Sequence, residues 1–148
     1  METLTTKQLG DAGEYYALSQ FCFAGKAVVK MPDNWPVYDL IITDSDDLLK
    51  ISVKTRSETV CWKSNSVFTF NGQGECDYLV LILKTKKQSI RSWVIPFEFA
   101  KKHAHFPNNR RTHPHDRDIR RSKLEGTDAP FTIFEDNWTL NVKTPAER

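Results

Sequence analysis

The first segment of the chain follows a helical pattern of apolar positions. Thr5 or Thr6 can serve as the N-cap, because its hydroxyl oxygen accepts a hydrogen bond from an otherwise unpaired amide of the first turn. Apolar residues then recur at helical spacing in two neighbouring stripes, which run through Leu9, Ala12, Tyr16 and Gln20 and through Tyr15, Leu18 and Cys22. Gly25 is placed to end the helix in a left-handed conformation. The pattern predicts one amphipathic helix with a broad buried face.

The segments that follow carry the short apolar and β-branched runs that are typical of strands. Residues 37–43 and 48–55 flank an acidic turn, which predicts a hairpin, and the nearly continuous apolar run at 77–83 predicts a strand covered on both faces. Further strands are expected at 27–31, 67–70 and 92–97, and a short helix at 98–105. We therefore expect one α/β domain over residues 1–148, with a central mixed sheet of about five strands flanked by helices.

Three ionisable residues interrupt this apolar context. Asp39 lies within a strand pattern, Lys54 lies in the partner strand of the same hairpin, and Glu14 lies in the opening helix. Buried charges require partners, so these positions point either to a site or to a structural ion pair between Asp39 and Lys54. In the second strand, alternation places Ile51 and Val53 on one face and Ser52 and Lys54 on the other.

The order and local sequence of these segments resemble those of a known protein family. Three segments are similar to the motifs of the PD-(D/E)xK nuclease superfamily, in particular those of small Holliday-junction-resolvase-type members. They are, in order, Gly13-Glu14 in the helix, Tyr38-Asp39-Leu40-Ile41-Ile42 in one strand and Ile51-Ser52-Val53-Lys54-Thr55 in the next. The resemblance covers about residues 10–85 and implies a restriction-endonuclease-like fold. It also implies metal-dependent hydrolysis of nucleic acid phosphodiester bonds.

The resemblance carries roles onto named positions. Asp39 would be the central metal ligand, Lys54 the catalytic lysine and Glu14 an auxiliary ligand, with the backbone carbonyl of Val53 as a further oxygen donor. The implied ion is Mg²⁺ or Mn²⁺, since hard carboxylate oxygens suit such cations and the bound ion activates water and clamps the phosphate. A lysine beside the phosphate would orient the nucleophile and neutralise developing charge.

One position departs from the family pattern. The catalytic position usually held by Glu or Gln is Ser52, which is too short to reach where Glu reaches and is a poor ligand for Mg²⁺. Three interpretations stay open at this stage. Glu14 and Asp39 hold the ion with several waters, or another acid replaces the missing one, with Asp33, Asp77 and Glu58 as candidates, or the chain has lost catalysis and keeps a binding surface.

Charge adds a second expectation. The 148 residues have a net charge of +2, yet residues 101–123 contain eight Lys or Arg, all four His and only two acids. We interpret residues 101–123 as a basic arm that contacts a nucleic acid backbone. Within it, residues 107–121 are expected to form a loop or irregular helix. The alternative is a solvated charged loop. The candidate contacts are Lys101, Lys102, Arg110, Arg111, Arg117, Arg120 and Arg121, together with Trp62 from the polar stretch at 58–66.

These features favour a metal-dependent endonuclease acting on DNA more readily than RNA. The competing interpretations are a catalytically silent nucleic-acid-binding relative and a protein-interaction or immunity-type accessory factor. The sequence contains no apolar run of the length of a membrane span, and its three cysteines are unevenly spaced. We therefore expect a cytoplasmic protein without membrane contact, and a homodimer is the oligomer that two-strand cleavage would favour.

Overall fold

The structure is a computed structural model that describes residues 4–44, 46–58, 67–106 and 113–145. Its helices are α1 (Thr6–Phe23), α2 (Phe97–His103) and α3 (Arg121–Leu124), and a short 3-10 helix covers Thr132–Phe134. Its strands are β1 (Val28–Lys30), β2 (Leu40–Ile42), β3 (Leu49–Ser57), β4 (Val67–Asn71), β5 (Tyr78–Lys84), β6 (Ile90–Pro96) and β7 (Asp116–Arg120). The predicted positions of the strands and of the first two helices agree with these bounds within a few residues.

A five-stranded mixed sheet forms the centre of the fold. The strand order is β1-β2-β3-β5-β6, in which β3 and β5 are parallel and the other neighbours are antiparallel. β4 and β7 form a separate antiparallel pair. The prediction of an α/β fold with a mixed sheet of about five strands is confirmed.

The apolar run of β5 is buried on both faces of this sheet, as its sequence predicts. Val80 and Ile82 pack on the side of α1, in a core that also contains Phe21, Ile51 and Trp138. Residues of the opposite parity, Leu79, Leu81 and Leu83, belong to a second core on the other face. That core is closed by the following aromatic residues from β4, β6, α2 and the C-terminal segment: Phe68, Phe70, Trp93, Phe97, Phe131 and Phe134.

The ends of α1 agree with the sequence prediction, and its buried face agrees only in part. Thr5 is the N-cap and forms a reciprocal capping box with Gln8, and Gly25 follows the helix with a φ of 85°. The fully buried positions are Gly13, Ala17 and Phe21, whereas Ala12, Tyr15 and Cys22 from the predicted stripes are exposed. Tyr16 and Leu18 from the predicted stripes do pack against the core, but the deepest burial follows Gly13, Ala17 and Phe21, because small residues allow the helix to approach the sheet closely.

The described part of the basic segment, from residue 113 onward, contains a strand where its composition predicts a loop or irregular helix. Asp116–Arg120 forms β7, which pairs with β4 in a register that places Ile119 opposite Phe68. Ile119 is fully buried, and the carboxylate of Asp118 accepts a hydrogen bond of 2.9 Å from the Thr69 hydroxyl. A single apolar residue among charges gives little local signal, so this strand depends on pairing with a distant partner.

Candidate active site

Asp39 lies at the point where β2 begins and is held by the neighbouring strand. Its backbone N–H donates to the carbonyl of Ile51 at 2.8 Å, and its Oδ2 accepts from the Val53 N–H at 2.7 Å. β2 pairs with β3 only as far as Ile51, so the carboxylate takes the place of the next backbone partner. Because the N–H and C=O of one strand residue face the same edge, the Val53 carbonyl lies on the edge that carries Asp39.

The alternation predicted for β3 is confirmed and brings two further site residues to a cleft. Ile51 and Val53 pack under α1, while Ser52 and Lys54 face the other way and line the cleft beside Asp39. Ser52 is 8% exposed, and Lys54 is exposed. Among the described residues, no ion pair joins Lys54 to Asp39, so the structural ion pair that the sequence also allowed does not form.

Glu14 reaches the same region from the opposite face of the sheet. Its neighbour Gly13 packs so closely on β3 that a Cβ there would lie 1.8 Å from the Thr55 Oγ1. The hydroxyl oxygen of Thr55 is buried without a hydrogen-bond partner in the described part of the chain. The Gly-Glu and Lys-Thr motifs are therefore joined by one packing contact, which fixes the height of Glu14 above the sheet.

The two carboxylates affect each other electrostatically. Burial raises the pKa of Asp39, while the Val53 hydrogen bond and the charges of Lys54 and Lys30 oppose this shift. Burial also raises the pKa of Glu14, and the negative charge of Asp39 raises it further. Lys30, whose Nζ lies 3.8 Å from Glu14 Oε1, lowers it in part. The site thus holds two partly buried acids whose charges repel each other, a property typical of functional sites.

The cleft beside Asp39 has a volume of about 340 Å³ and a mixed lining. Asp39, Ser52 and Lys54 form its polar side, and the apolar side consists of Trp35, Val37, Phe70 and Phe97. Cys76 also lines it, and burial, with the nearby negative charges of Asp77 and Asp39, raises the pKa of this thiol to about 12. The thiol therefore stays protonated at neutral pH and is no nucleophile there.

The oxygen donors at the sheet edge fit a hard cation. Two electrostatically coupled carboxylates and the Val53 carbonyl offer the ligand type that Mg²⁺ prefers, and Mg²⁺ retains several waters in such sites. The described residues contain no group of three or more His, Cys, Asp and Glu side chains placed to hold a metal ion. Among the described residues, the ligands for an ion bound here would therefore be these two acids and the Val53 carbonyl, completed by water.

None of the three acids considered as replacements at the position of Ser52 takes that place in the described structure. Asp33 is largely exposed and pairs with Lys7 and Lys30 at 3.5 Å. Asp77 accepts from the backbone N–H of Lys50 at 2.8 Å, at the start of β3. Glu58, beyond the far end of β3, accepts from the backbone N–H of Lys86 and from Arg121.

The predicted nucleic-acid contacts are placed in different environments. Lys102 and Arg120 are exposed, and Lys101 lies with its Nζ 5.8 Å from the ring centroid of Phe97 and 3.6 Å from Glu98 Oε1. Arg117 stacks its guanidinium 4.1 Å from the ring centroid of Phe106. Arg121 is ion-paired to Glu58 at 3.0 Å and to Glu125. Arg110, Arg111 and Trp62 lie outside the described residues.

Two residues at the site escaped the sequence reasoning. Lys30 was assigned only to the first strand, yet it lies against Glu14 and its charge acts on Asp39. The sequence places Trp35 in a turn and, among the tryptophans that could stack on bases, favours Trp62 instead, yet Trp35 lines the cleft and is 46% exposed. A tryptophan within a short polar turn bounded by Pro32 and Pro36 is the signal in the sequence that points to Trp35.

The mixed five-stranded sheet, which carries the helix with Glu14 on one face, Asp39 directly before β2 and Lys54 on β3, is a restriction-endonuclease-like fold. It is similar to a bacterial homing endonuclease, I-Ssp6803I, with a TM-score of 0.63 and 14% identity over 93% of each chain. A Holliday junction resolvase, Hjc of Archaeoglobus fulgidus, matches with a TM-score of 0.46 and 17% identity over 76% of this chain and 84% of that one.

The first of these similarities confirms the predicted fold class. At this level of identity it establishes the fold alone. No protein family description and no curated protein matches the sequence. None of the described helices is long and apolar enough to cross a membrane.

Proposed function

We propose that this protein is a metal-dependent endonuclease that hydrolyses phosphodiester bonds in nucleic acid, with DNA as the preferred substrate. One observation carries the proposal. A carboxylate fixed on a strand edge by a 2.7 Å hydrogen bond, Asp39, lies between a second acid and an exposed lysine at a cleft of a nuclease-like fold. The raised pKa values of both acids support a site that gains stability from a bound cation.

In this proposal Asp39, Glu14 and the Val53 carbonyl hold Mg²⁺ or Mn²⁺. When bound, the ion would lower the pKa of a water ligand and stabilise negative charge on the phosphate. Lys54 would bind a non-bridging phosphate oxygen and orient the attacking water. The water oxygen forms a bond to phosphorus, one P–O ester bond breaks, and a proton from the water ends on the departing oxygen. Ser52 would leave room for an additional water.

The basic residues of the arm at 101–123 would bind the phosphate backbone. Lys101 contacts the ring of Phe97, which lines the cleft, and Lys102 follows it as an exposed residue of α2. Arg120 is exposed on β7. Together with Arg110, Arg111 and Arg117, these cations would supply affinity that falls as salt concentration rises. Arg121 has carboxylate partners already, which favours a structural role beside any role in binding.

A nuclease assay with matched variants tests the proposal. Plasmid, linear and branched DNA, and RNA, are incubated with Mg²⁺, Mn²⁺ or EDTA, using the wild type and the Asp39→Asn and Lys54→Gln variants. We expect cutting that requires the metal and falls by at least about 100-fold in each variant. Asp46→Asn, in the exposed hairpin turn, and Lys84→Gln, at the end of β5, repeat each charge change outside the site and should cut normally. Cutting that survives both site substitutions would refute the assignment.

A second candidate function is a silent nucleic-acid-binding relative of the fold. The observation in its favour is Ser52 in place of an acidic ligand, together with the lack of a three-residue metal-binding group among the described residues. It predicts salt-sensitive binding of nucleic acid with no cutting of any substrate. A protein-interaction role predicts neither cutting nor nucleic-acid binding at physiological salt, so the same samples separate the three.

A further inference from the structure

The apolar half of the cleft is not required for phosphate chemistry. Phosphate binding and hydrolysis need charges and hydrogen-bond donors, which Asp39 and Lys54 supply on one side. The opposite side has a floor of Phe70 and Phe97, each 3% exposed and packed edge to face with centroids 5.7 Å apart. At about 340 Å³, the cleft falls in the range of sites that enclose a small organic group.

The rim of the cleft carries two exposed apolar side chains. Trp35 is 46% exposed and Val37 is 53% exposed, and Trp35 rests edge to face on Tyr38 with centroids 6.1 Å apart. Val37 adopts a φ of 81°, a left-handed conformation that is costly for a β-branched residue. The surrounding loop therefore holds an apolar side chain at the rim against the preference of its backbone.

Charge beside this apolar wall selects one class of occupant. Lys54 lines the cleft together with Phe70 and Phe97, so a cation borders the apolar floor. A nucleotide combines these needs, since it has an anionic phosphate and a flat base with an apolar face. In a paired duplex the faces of the bases are covered by their neighbours and cannot reach Trp35.

We propose that the cleft receives one unpaired nucleotide next to the phosphate that is cut, with its base against Trp35 and Val37 and its phosphate beside Lys54. This inference rests on the proposed function and narrows its substrate to nucleic acid with a single-stranded or unpaired position. Gly74 lines the same cleft. A Cβ added there would lie 3.8 Å from both Phe97 and Val37 and so would occupy part of the space, and it would lie 3.2 Å from the backbone oxygen of Asn71, which must shift by a few tenths of an ångström.

The test measures binding in EDTA, so that it does not depend on cutting. Fluorescently labelled DNA is offered to the full-length protein as a paired duplex, as the same duplex with one unpaired nucleotide, and as a single strand. We expect the unpaired forms to bind at least 5-fold more tightly than the duplex. Trp35→Ala should weaken the unpaired forms by about 5- to 150-fold, which is the range that stacking on an aromatic side chain provides, with little effect on the duplex.

Three further variants separate this effect from damage to the fold. Gly74→Ala should reduce the preference by narrowing the cleft. Val37→Gly should reduce it while raising thermal stability, because glycine tolerates the positive φ. Phe23→Ala removes an 87% exposed aromatic side chain at the end of α1 and should change nothing.

Equal binding of paired and unpaired DNA would overturn the inference, as would a preference that survives both Trp35→Ala and Gly74→Ala. A wild-type protein that binds none of the three DNA forms at low salt would overturn the inference as well. The nuclease assay with metal is a separate measurement. A protein that prefers unpaired DNA but cuts none would keep this inference and refute the proposed catalysis.

Discussion

Replacing Gly13 by alanine tests how tightly α1 must lie on the sheet. The added Cβ would lie 1.8 Å from Thr55 Oγ1 and 2.9 Å from Thr55 Cβ. Rotation of the threonine side chain cannot move its own Cβ, so the helix has to rise. To restore an ordinary contact of 3.4 Å, the two elements must separate by about 0.5 Å to clear the Thr55 Cβ, and by about 1.6 Å to clear the hydroxyl oxygen if the threonine keeps its rotamer.

The energetic cost follows from two opposing effects. Overpacking of this kind typically costs about 1–3 kcal/mol, and the higher helix propensity of alanine returns up to about 1 kcal/mol. We therefore expect Gly13→Ala to lower the free energy of unfolding by about 1–2 kcal/mol. For a chain of this size the melting temperature should fall by about 2–8 °C. Because Glu14 moves with the helix, nuclease activity should fall by about 100-fold, as a displacement of 1 Å can produce.

The same helix provides the control. A Cβ added at Gly10 would meet nothing within 4 Å, so Gly10→Ala should stabilise the protein by up to about 1 kcal/mol and leave activity unchanged. Thr55→Ala removes the Oγ1 and should reduce the penalty of Gly13→Ala in the double variant. Thermal and urea unfolding measure all four proteins. If Gly13→Ala raises stability as Gly10→Ala does, the close approach of helix and sheet is refuted.

Three other predictions concern charge and packing. Burial raises the pKa of Asp39 above its value in the unfolded chain, so the ionised carboxylate lowers the stability of the fold at pH 7. Asp39→Asn should therefore raise the melting temperature at pH 7, and this gain should vanish below about pH 4, where the carboxyl group is protonated in both states. A lower melting temperature of the variant at pH 8 would contradict the raised pKa. Arg120→Gln should reduce the slope of log affinity against log salt by about 1, and an unchanged slope would exclude it from the phosphate contacts. Trp138 is 7% exposed, and its ring centroid lies 4.9 Å from that of Phe21. Trp138→Ala should lower the free energy of unfolding by about 3–5 kcal/mol, as measured in urea. A decrease of less than about 1 kcal/mol would contradict its place in the core.

The sequence predicted the elements of this fold well where each element carries its own signal. The alternation in β3 placed Ser52 and Lys54 together on one face, and the unbroken apolar run of β5 predicted burial on both faces. The sequence also predicted the N-cap at Thr5 and the end of the helix at Gly25, because helix caps depend on local backbone geometry. The roles assigned to Asp39, Lys54 and Glu14 remain proposals that the assays above decide.

Contacts between residues far apart in the chain determined features that the local sequence pattern did not predict. β7 exists because β4 offers it a partner, and Ile119 is buried as a result, although its neighbours in the chain are charged. The partners of Arg121 illustrate the same limit. Composition grouped it with the other basic residues, but Glu58 and Glu125 reach it only in the folded chain.

The sequence by itself determined which residues are acidic, basic or apolar on each face of a strand, because that periodicity is a property of one strand's own backbone. Only the tertiary structure decided which faces meet. It set Glu14 near Asp39 through the contact of Gly13 with Thr55, and it brought Trp35 to the rim of the cleft. Such approaches depend on strand register and on the height of a helix above a sheet, and both are fixed by packing between segments distant in the chain.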